Sequence, residues 1–330
     1  MNTCIIGCGA ISHVHVDSVL KTGGRIVALA DIDIEKATIL KDKFNLDCAI
    51  YTDYKQMLDS EDIDVVHICT PHYLHAEMTI YSLDNGYNVL VEKPLCTKLE
   101  DIQRILDAER RASGRLAVCL QNRYNPSNQK VKQLLEGKDI IAGVGIVAWD
   151  RGHKYYEGSD WKGKWDSEGG GALINQALHT LDLLQWYMGE PTSVTAHYST
   201  DRLRDVIEVE DTLMATYEYK SGANANFYCT NCATSMFPVQ IMLATKDTKI
   251  VLHPDHLIVD GEYIPMDQQN ASVGKQCWGG GHHILIKDYY EKLKENKPFW
   301  INGVEGAKVM RMILSAYASK GNKISLEEDL

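Results

Sequence analysis

No apolar run in the 330 residues reaches the length needed to cross a bilayer, which excludes a membrane-spanning helix. A basic leader ahead of an apolar stretch is also missing. The chain enters Asn2-Thr3-Cys4-Ile5-Ile6 at once and Gly7 interrupts it, which predicts a protein that stays in the cytoplasm. Positive charge is in deficit: 34 Lys and Arg against 45 Asp and Glu leave −11, so the basic face that nucleic acid demands is not expected. There is no internal repeat and no low-complexity tract. The nine cysteines are an odd number, and the CxxC of Cys229 and Cys232 has no second pair to complete a zinc site. Cys277 with His282 and His283 is a poor substitute. Buried thiols in a reducing compartment, with no metal, are the expectation.

What is present is ordinary globular composition, 45% hydrophobic and 24% charged, in a chain longer than one core usually organises. Residues 1–121 alternate short β-like runs (Asn2–Ile6, Arg25–Ala30, Asp64–Cys69, Tyr87–Val91, Leu116–Leu120, and a weaker one near Cys48–Tyr51) with amphipathic helical stretches such as Ile34–Phe44 and Leu99–Ser113. That rhythm predicts parallel βαβ units with right-handed crossovers, a doubly wound Rossmann sheet. From residue 122 to 330 long alternating strands take over, with a hairpin at Tyr219-Lys220-Ser221-Gly222 and helices at Leu173–Met188, Ile284–Glu295 and Val304–Lys320. The second domain is therefore expected to be α+β with a large, mostly antiparallel sheet. One face of that sheet needs cover, which suggests a homodimer or homotetramer.

Gly7-Cys8-Gly9-Ala10-Ile11-Ser12 follows the first strand and opens a helix. Gly7 permits the sharp turn, Gly9 lets a pyrophosphate approach the backbone, and the helix N-terminus offers free N–H groups. Ser12 replaces the usual third glycine and remains small. Asp31 ends the second strand, where a carboxylate accepts from both ribose hydroxyls and repels a 2′-phosphate. NAD is favoured over NADP. Two further segments fall at carboxyl ends of parallel strands, where open α/β sheets bind ligands: Thr70-Pro71-His72-Tyr73-Leu74-His75 and Glu92-Lys93-Pro94.

Together with Gly169-Gly170-Gly171 and the run His179-Thr180-Leu181-Asp182, these motifs resemble the glucose–fructose oxidoreductase/inositol dehydrogenase (Gfo/Idh/MocA) family over essentially the whole chain. The resemblance implies NAD-dependent oxidation of a ring hydroxyl on a sugar, sugar nucleotide or cyclitol, or the reverse reduction. It also implies a catalytic Lys, here Lys93 before a cis proline, and an Asp-x-x-x-His pair. Asn stands at 175 in place of that Asp, and since it cannot act as a base it is expected to orient substrate hydroxyls. Proton transfer then falls to Lys93 and His179. Gly7, Cys8, Gly9, Ala10, Ile11, Asp31, Thr70, Pro71, His75, Glu92, Lys93 and Asn122 are the expected cofactor contacts. Arg123, Trp161, Lys162, Asn175 and His179 are the expected substrate contacts, with Trp161 and Lys162 in an aromatic, cationic loop spanning residues 155–165. The glycine run either lets the backbone approach substrate at a free helix N-terminus or forms a flexible entry to the helix. Two other activities share these residues: an NAD-retaining glycoside hydrolase and a non-catalytic NAD-binding regulator.

Overall fold

Strand β1 (Asn2–Ile6) is buried on both faces, with Thr3, Cys4, Ile5 and Ile6 at most 2% exposed, as a central strand of a parallel sheet must be. In the computed structural model, which describes residues 1–267 and 280–327, five more strands join it: β2 (Arg25–Ala30), β3 (Ala49–Tyr51), β4 (Val65–Ile68), β5 (Asn88–Val91) and β6 (Leu116–Val118). The order is β3-β2-β1-β4-β5-β6 and every pairing is parallel. Helices α1 (Ser12–Lys21), α2 (Ile34–Phe44), α3 (Tyr54–Ser60), α4 (His75–Asp84) and α5 (Leu99–Arg111) make the crossovers. The expected doubly wound sheet is present. Its order reverses between β1 and β4, the switch point where such sheets open a ligand crevice.

The chain divides into two compact units that are not each continuous in sequence. Among the described residues the first holds Met1–Cys96, Glu100–Tyr124 and 280–306, and the second holds Thr97–Leu99, 125–267 and 307–327. The first unit thus recruits a helix from beyond the second unit's strands, which a linear change of pattern near residue 122 does not reveal.

The second unit carries a nine-stranded sheet. Helix α6 (Pro126–Leu134) precedes strand β7 (Ile140–Ala148). Two short helices follow, α7 (His153–Tyr156) and α8 (Trp165–Glu168), then a π-helical turn at Ala172–Ala177 that runs into α9 (Leu178–Met188). The remaining strands are β8 (Ser193–Ser199), β9 (Thr212–Glu218), β10 (Asn224–Thr230), β11 (Gln240–Thr245), β12 (Lys249–Leu252), β13 (His256–Val259), β14 (Glu262–Pro265) and β15 (Ile324–Ser325). The order is β14-β13-β12-β11-β7-β10-β9-β8-β15, antiparallel throughout except for β7 with β10. The predicted hairpin joins β9 to β10, closed by Tyr219 N–H on the Ala223 carbonyl at 3.0 Å. Helices α10 (Gly281–Lys294) and α11 (Gly303–Ser319) lie close to their expected bounds. No helix among the described residues is long and apolar enough to cross a membrane.

Two glycines on β7 make room for neighbours, Gly143 for α9 and Gly145 for a ring on β10. A Cβ on Gly143 would collide with the Leu184 and Met188 side chains of α9, and one on Gly145 with the Phe227 ring at 2.6 Å. The missing Cβ at Gly143 lets α9 lie close on β7. That packing fixes the height of everything its first turn carries.

Candidate active site

The loop after β1 separates two glycine roles. Gly7 has φ +91°, and a Cβ there would sit 2.7 Å from the Cys69 carbonyl carbon and 2.8 Å from Thr70 N, so β1 and β4 could not approach. Around Gly9 nothing lies within 4 Å of a Cβ position. Gly9 and Ala10 are exposed, Ile11 is half-buried, and no side chain caps the N-terminus of α1. The open cradle and the uncapped N–H groups fit a pyrophosphate. Asp31 is half-buried; its two carboxylate oxygens accept Cys8 N–H (2.7 Å) and Asp33 N–H (2.9 Å). Each oxygen keeps a further lone pair, which fits ribose hydroxyls. Burial, aided by Asp31, pushes the Cys8 thiol up to about 12, so Cys8 serves this loop through its backbone. Because Gly9 faces open space, Gly9→Ala is expected to keep the fold and its melting temperature. It should weaken NADH binding about tenfold or more, as one steric intrusion on a phosphate costs over a kcal/mol. Unaltered binding by calorimetry would remove the loop from the cofactor site.

Thr70 and Pro71 are half-buried at the end of β4. His75, expected at the cofactor, has both ring nitrogens on carbonyl oxygens, Pro94 at 2.6 Å and Thr70 at 2.9 Å. Its polar atoms are spent on the protein, and it braces the β4 turn against the Lys93–Pro94 peptide, which is cis. Lys93 is half-buried just past β5, and Asn122 is half-buried on the 3₁₀ turn Gln121–Tyr124.

Glu92 is also corrected. Its side chain turns inward, 5% exposed, and accepts from His15 Nε2 (2.9 Å), His282 Nε2 (3.4 Å) and Lys93 N–H (3.1 Å). Burial alone would raise its carboxyl, but hydrogen bonds and charge from the two histidines hold it well below the usual carboxylate range. The chain of contacts continues from His15 Nδ1 to His67 Nδ1 (2.9 Å), from His67 Nε2 to the Tyr290 hydroxyl (3.0 Å), and on to Thr3 Oγ1 (2.6 Å). One assignment satisfies every link: Glu92 ionised, His15 donating through Nε2, His67 donating through Nδ1 to His15, and Tyr290 donating to His67. Cys119 completes a set of four ligand-type atoms within 4.8 Å of one another. The His15–Glu92 spacing of 2.9 Å is that of a hydrogen bond, whereas two ligands on one zinc stand about 3.3 Å apart at the usual bond lengths. These groups form a proton-bearing network. Its members are scattered along the sequence from Thr3 to Tyr290, and no spacing signals it.

Arg123 is the clearest correction. It is fully buried, its Nη1 lies 2.7 Å from Glu305 and its guanidinium 5.7 Å from the Trp300 ring centre. Such a residue holds its own unit together and is not accessible to a substrate. The CxxC is likewise structural: Cys229 is buried in β10, burial raises both its thiol and that of Cys232, and Cys277 lies outside the described residues.

In the second unit, Gly169–Gly171 is neither a flexible entry nor an open helix terminus. A Cβ on Gly169 would strike Thr97, on Gly170 the Tyr317 hydroxyl, and on Gly171 the Glu210 carbonyl oxygen. The wholly buried Glu210 then takes the helix's first N–H groups, Gly171 (2.8 Å) and Leu173 (2.9 Å), and the Tyr317 hydroxyl (2.9 Å). Burial lifts its carboxyl to about 7 against those three donors. The expected single helix opens with a π-turn, a widening often found at functional sites. Asn175 lies on this turn and His179 on the first turn of α9, both half-buried. The Asn175 amide donates to Glu168, a carboxylate 1% exposed that also accepts Gly163 N–H. Asp at 175 would place two carboxylates in contact, so Asn is the residue this neighbour permits. Glu168 was legible only as the residue before the glycines. Trp161 and Lys162 are half-buried in the loop, with the Lys162 ammonium 4.1 Å from the Tyr155 ring centre.

Two matches cover most of the chain: residues 1–120 match the oxidoreductase family with an NAD-binding Rossmann fold, GFO_IDH_MocA, and residues 128–248 the GFO/IDH/MocA C-terminal domain. Inositol 2-dehydrogenase of Salmonella typhimurium (strain LT2) is 24% identical over 223 residues, 67% of this chain and 64% of that protein. The inositol 2-dehydrogenase/D-chiro-inositol 3-dehydrogenase of Lacticaseibacillus casei is 28% identical over 223 residues, 66% of this chain and 62% of that one. The matched stretches thus span a little under two thirds of these relatives. Among solved structures, the WlbA dehydrogenase from Bordetella pertussis, in complex with NADH and UDP-GlcNAcA, superposes with a TM-score of 0.87 at 27% identity, covering 99% of both chains. Levoglucosan dehydrogenase with NADH and levoglucosan shares the fold at 19% identity, with a TM-score of 0.87, covering 99% of this chain and 100% of that one.

Proposed function

Because the chain belongs to the GFO/IDH/MocA oxidoreductase family, we propose that it is an NAD-dependent enzyme moving hydride between a ring hydroxyl of a sugar, sugar nucleotide or cyclitol and the nicotinamide. One observation carries this reading most: the Gly9 cradle follows β1 and Lys93 follows β5. Both lie on the carboxyl edge of one parallel sheet, with only β4 between the two strands. The names of the relatives, inositol dehydrogenases and a dehydrogenase bound to UDP-GlcNAcA, supply the substrate class.

Bound NAD would supply the hydride acceptor, held by the Gly7–Ile11 loop, with Asp31 on the adenosine ribose. Asp31 is followed by Ile32 and Asp33, with no cation there to receive a 2′-phosphate. Lys93 takes or relays the hydroxyl proton and stabilises developing alkoxide charge, and His179 is the second group able to carry a proton near neutrality. Asn175, oriented by Glu168, directs substrate hydroxyls, and Trp161 offers a face to the sugar ring. Unpaired thiols, their pKa values raised by burial, suit a cytoplasmic setting. A homodimer or homotetramer would cover the outward face of the nine-stranded sheet, where Met214 (56% exposed) pairs across strands with Tyr228. The test is a panel of sugars, inositols and sugar nucleotides offered with NAD or NADP. Reduction of NAD by at least one member, with NADP much poorer, is expected. Silence across the panel in both directions would remove the reading.

A further inference from the structure

We propose that Arg151 is an anion-binding residue of the substrate site, and that the substrate is an acidic sugar bearing a carboxylate or a phosphate. This rests on the carbohydrate oxidoreductase reading above. In a chain of net charge −11 most arginines find a carboxylate: Arg25, Arg104, Arg110, Arg111, Arg123, Arg202 and Arg204 do, while Arg115 donates to Asn296. Arg151 does not: among the described residues no carboxylate comes within 4.0 Å of it, although it is half-buried. Neighbouring Asp150 turns instead to Arg202 at 3.5 Å.

The guanidinium is nevertheless held firmly. It lies 4.9 Å from the Trp149 ring centre and 5.1 Å from that of Tyr155, and its Nε donates to Gln176 Oε1 at 3.1 Å. Nη1 meets only the Met236 sulfur at 3.6 Å, a weak acceptor. One of five N–H donors is therefore spent on a strong acceptor, and the Nη1–Nη2 edge presents a fork that matches two oxygens of a carboxylate or phosphate. The fork is joined to the substrate helix. Gln176 Nε2 donates to the Tyr155 hydroxyl at 2.8 Å, and Asn175 Nδ2 reaches the same hydroxyl at 3.4 Å.

A second cation reinforces the sign of the site. Lys162 stands 4.1 Å from the centre of the same Tyr155 ring. The buried carboxylate of Glu168 accepts from Gly163 N–H and the Asn175 amide. Aromatic stacking alone would account for a clamped arginine. It would not require that arginine to discriminate anionic from neutral sugars.

The test is calorimetric titration of the NADH-loaded protein with glucose, glucuronate and glucose 1-phosphate, for the wild type, Arg151→Met and Arg151→Lys. In the wild type at least one anion should bind roughly 10- to 100-fold more tightly than glucose, the range of a charged hydrogen-bonded pair. A preference confined to glucuronate identifies a uronate, and one confined to glucose 1-phosphate a sugar phosphate or nucleotide. Arg151→Met should erase the preference while NADH still binds, and Arg151→Lys should keep only part of it. The wild type alone supplies a second readout, since added salt should lower anion affinity and spare glucose. Equal binding of anions and glucose, binding of neither anion, a preference that survives Arg151→Met, or one insensitive to salt would each overturn the proposal. If neutral sugars alone bind and reduce NAD, this inference fails and the oxidoreductase reading stands. If an anion binds through Arg151 yet no sugar reduces NAD, the reverse holds.

Discussion

Replacing Lys93 with methionine is expected to lower kcat about a thousandfold while leaving NADH affinity within about twofold, the scale of a lost general acid–base group. Methionine keeps the length and apolar stem of lysine and removes only the ammonium, so packing beside Pro94 survives. The backbone contact survives too, because it is the Lys93 N–H, and not the ammonium, that donates to Glu92 at 3.1 Å. Steady-state kinetics with calorimetric NADH binding separates the two effects. A kcat within a few fold of wild type would make Lys93 a bystander, and lost NADH binding would make it a cofactor ligand instead.

The second large effect lies one residue earlier. Glu92→Gln should destabilise the protein by about 3 kcal/mol, because the amide carries no charge and, with its oxygen kept at the Oε1 position that meets both histidines, turns its N–H₂ toward the Lys93 N–H. The penalty applies nearly in full, since Glu92 is 5% exposed. It should also change the pH dependence of stability. The Glu92 carboxyl is held below its unfolded value, so its contribution is present above about pH 4.3 and is lost as pH falls through the folded value. Burial likewise lowers His67 and His282, with the charge of His15 adding to each and Glu92 opposing. Unfolded imidazoles take protons below about pH 6.5 that these two refuse, so stability again falls on acidification. Denaturant melts from pH 7 to pH 4 should show a steep loss in wild type and a flatter, lower curve in Glu92→Gln. Parallel curves would place the acid lability elsewhere.

How far this was readable before the structure depends on the kind of signal. The GCGAIS turn, Asp31 and the strand–helix rhythm are local, and the parallel sheet follows from them nearly residue for residue. The hairpin at Tyr219–Gly222 is equally local. Arg123 misled because proximity to the last Rossmann strand suggested a ligand contact, whereas its partner Glu305 lies 182 positions away. Glu92 and His75 misled for a related reason: their motifs follow strands at the carboxyl edge of the parallel sheet, but their polar atoms point into the protein. Gly169–Gly171 looked like freedom near a ligand and is instead the absence of three Cβ atoms where Thr97, Tyr317 and Glu210 pack. Asn175 looked like a lost acid until Glu168 appeared beside it. In each case the deciding neighbour is brought in by tertiary packing, which a motif does not encode.

The central claim is hydride transfer from a ring carbon to NAD. It is tested most directly by incubating the protein with NAD and the best panel substrate, deuterated at the carbon oxidised, then weighing the reduced cofactor. The predicted product is one mass unit heavier than the cofactor formed from unlabelled substrate, with the deuterium on a single face of the nicotinamide. Reduced cofactor without the label, or none formed in the presence of a tightly bound substrate, would contradict it.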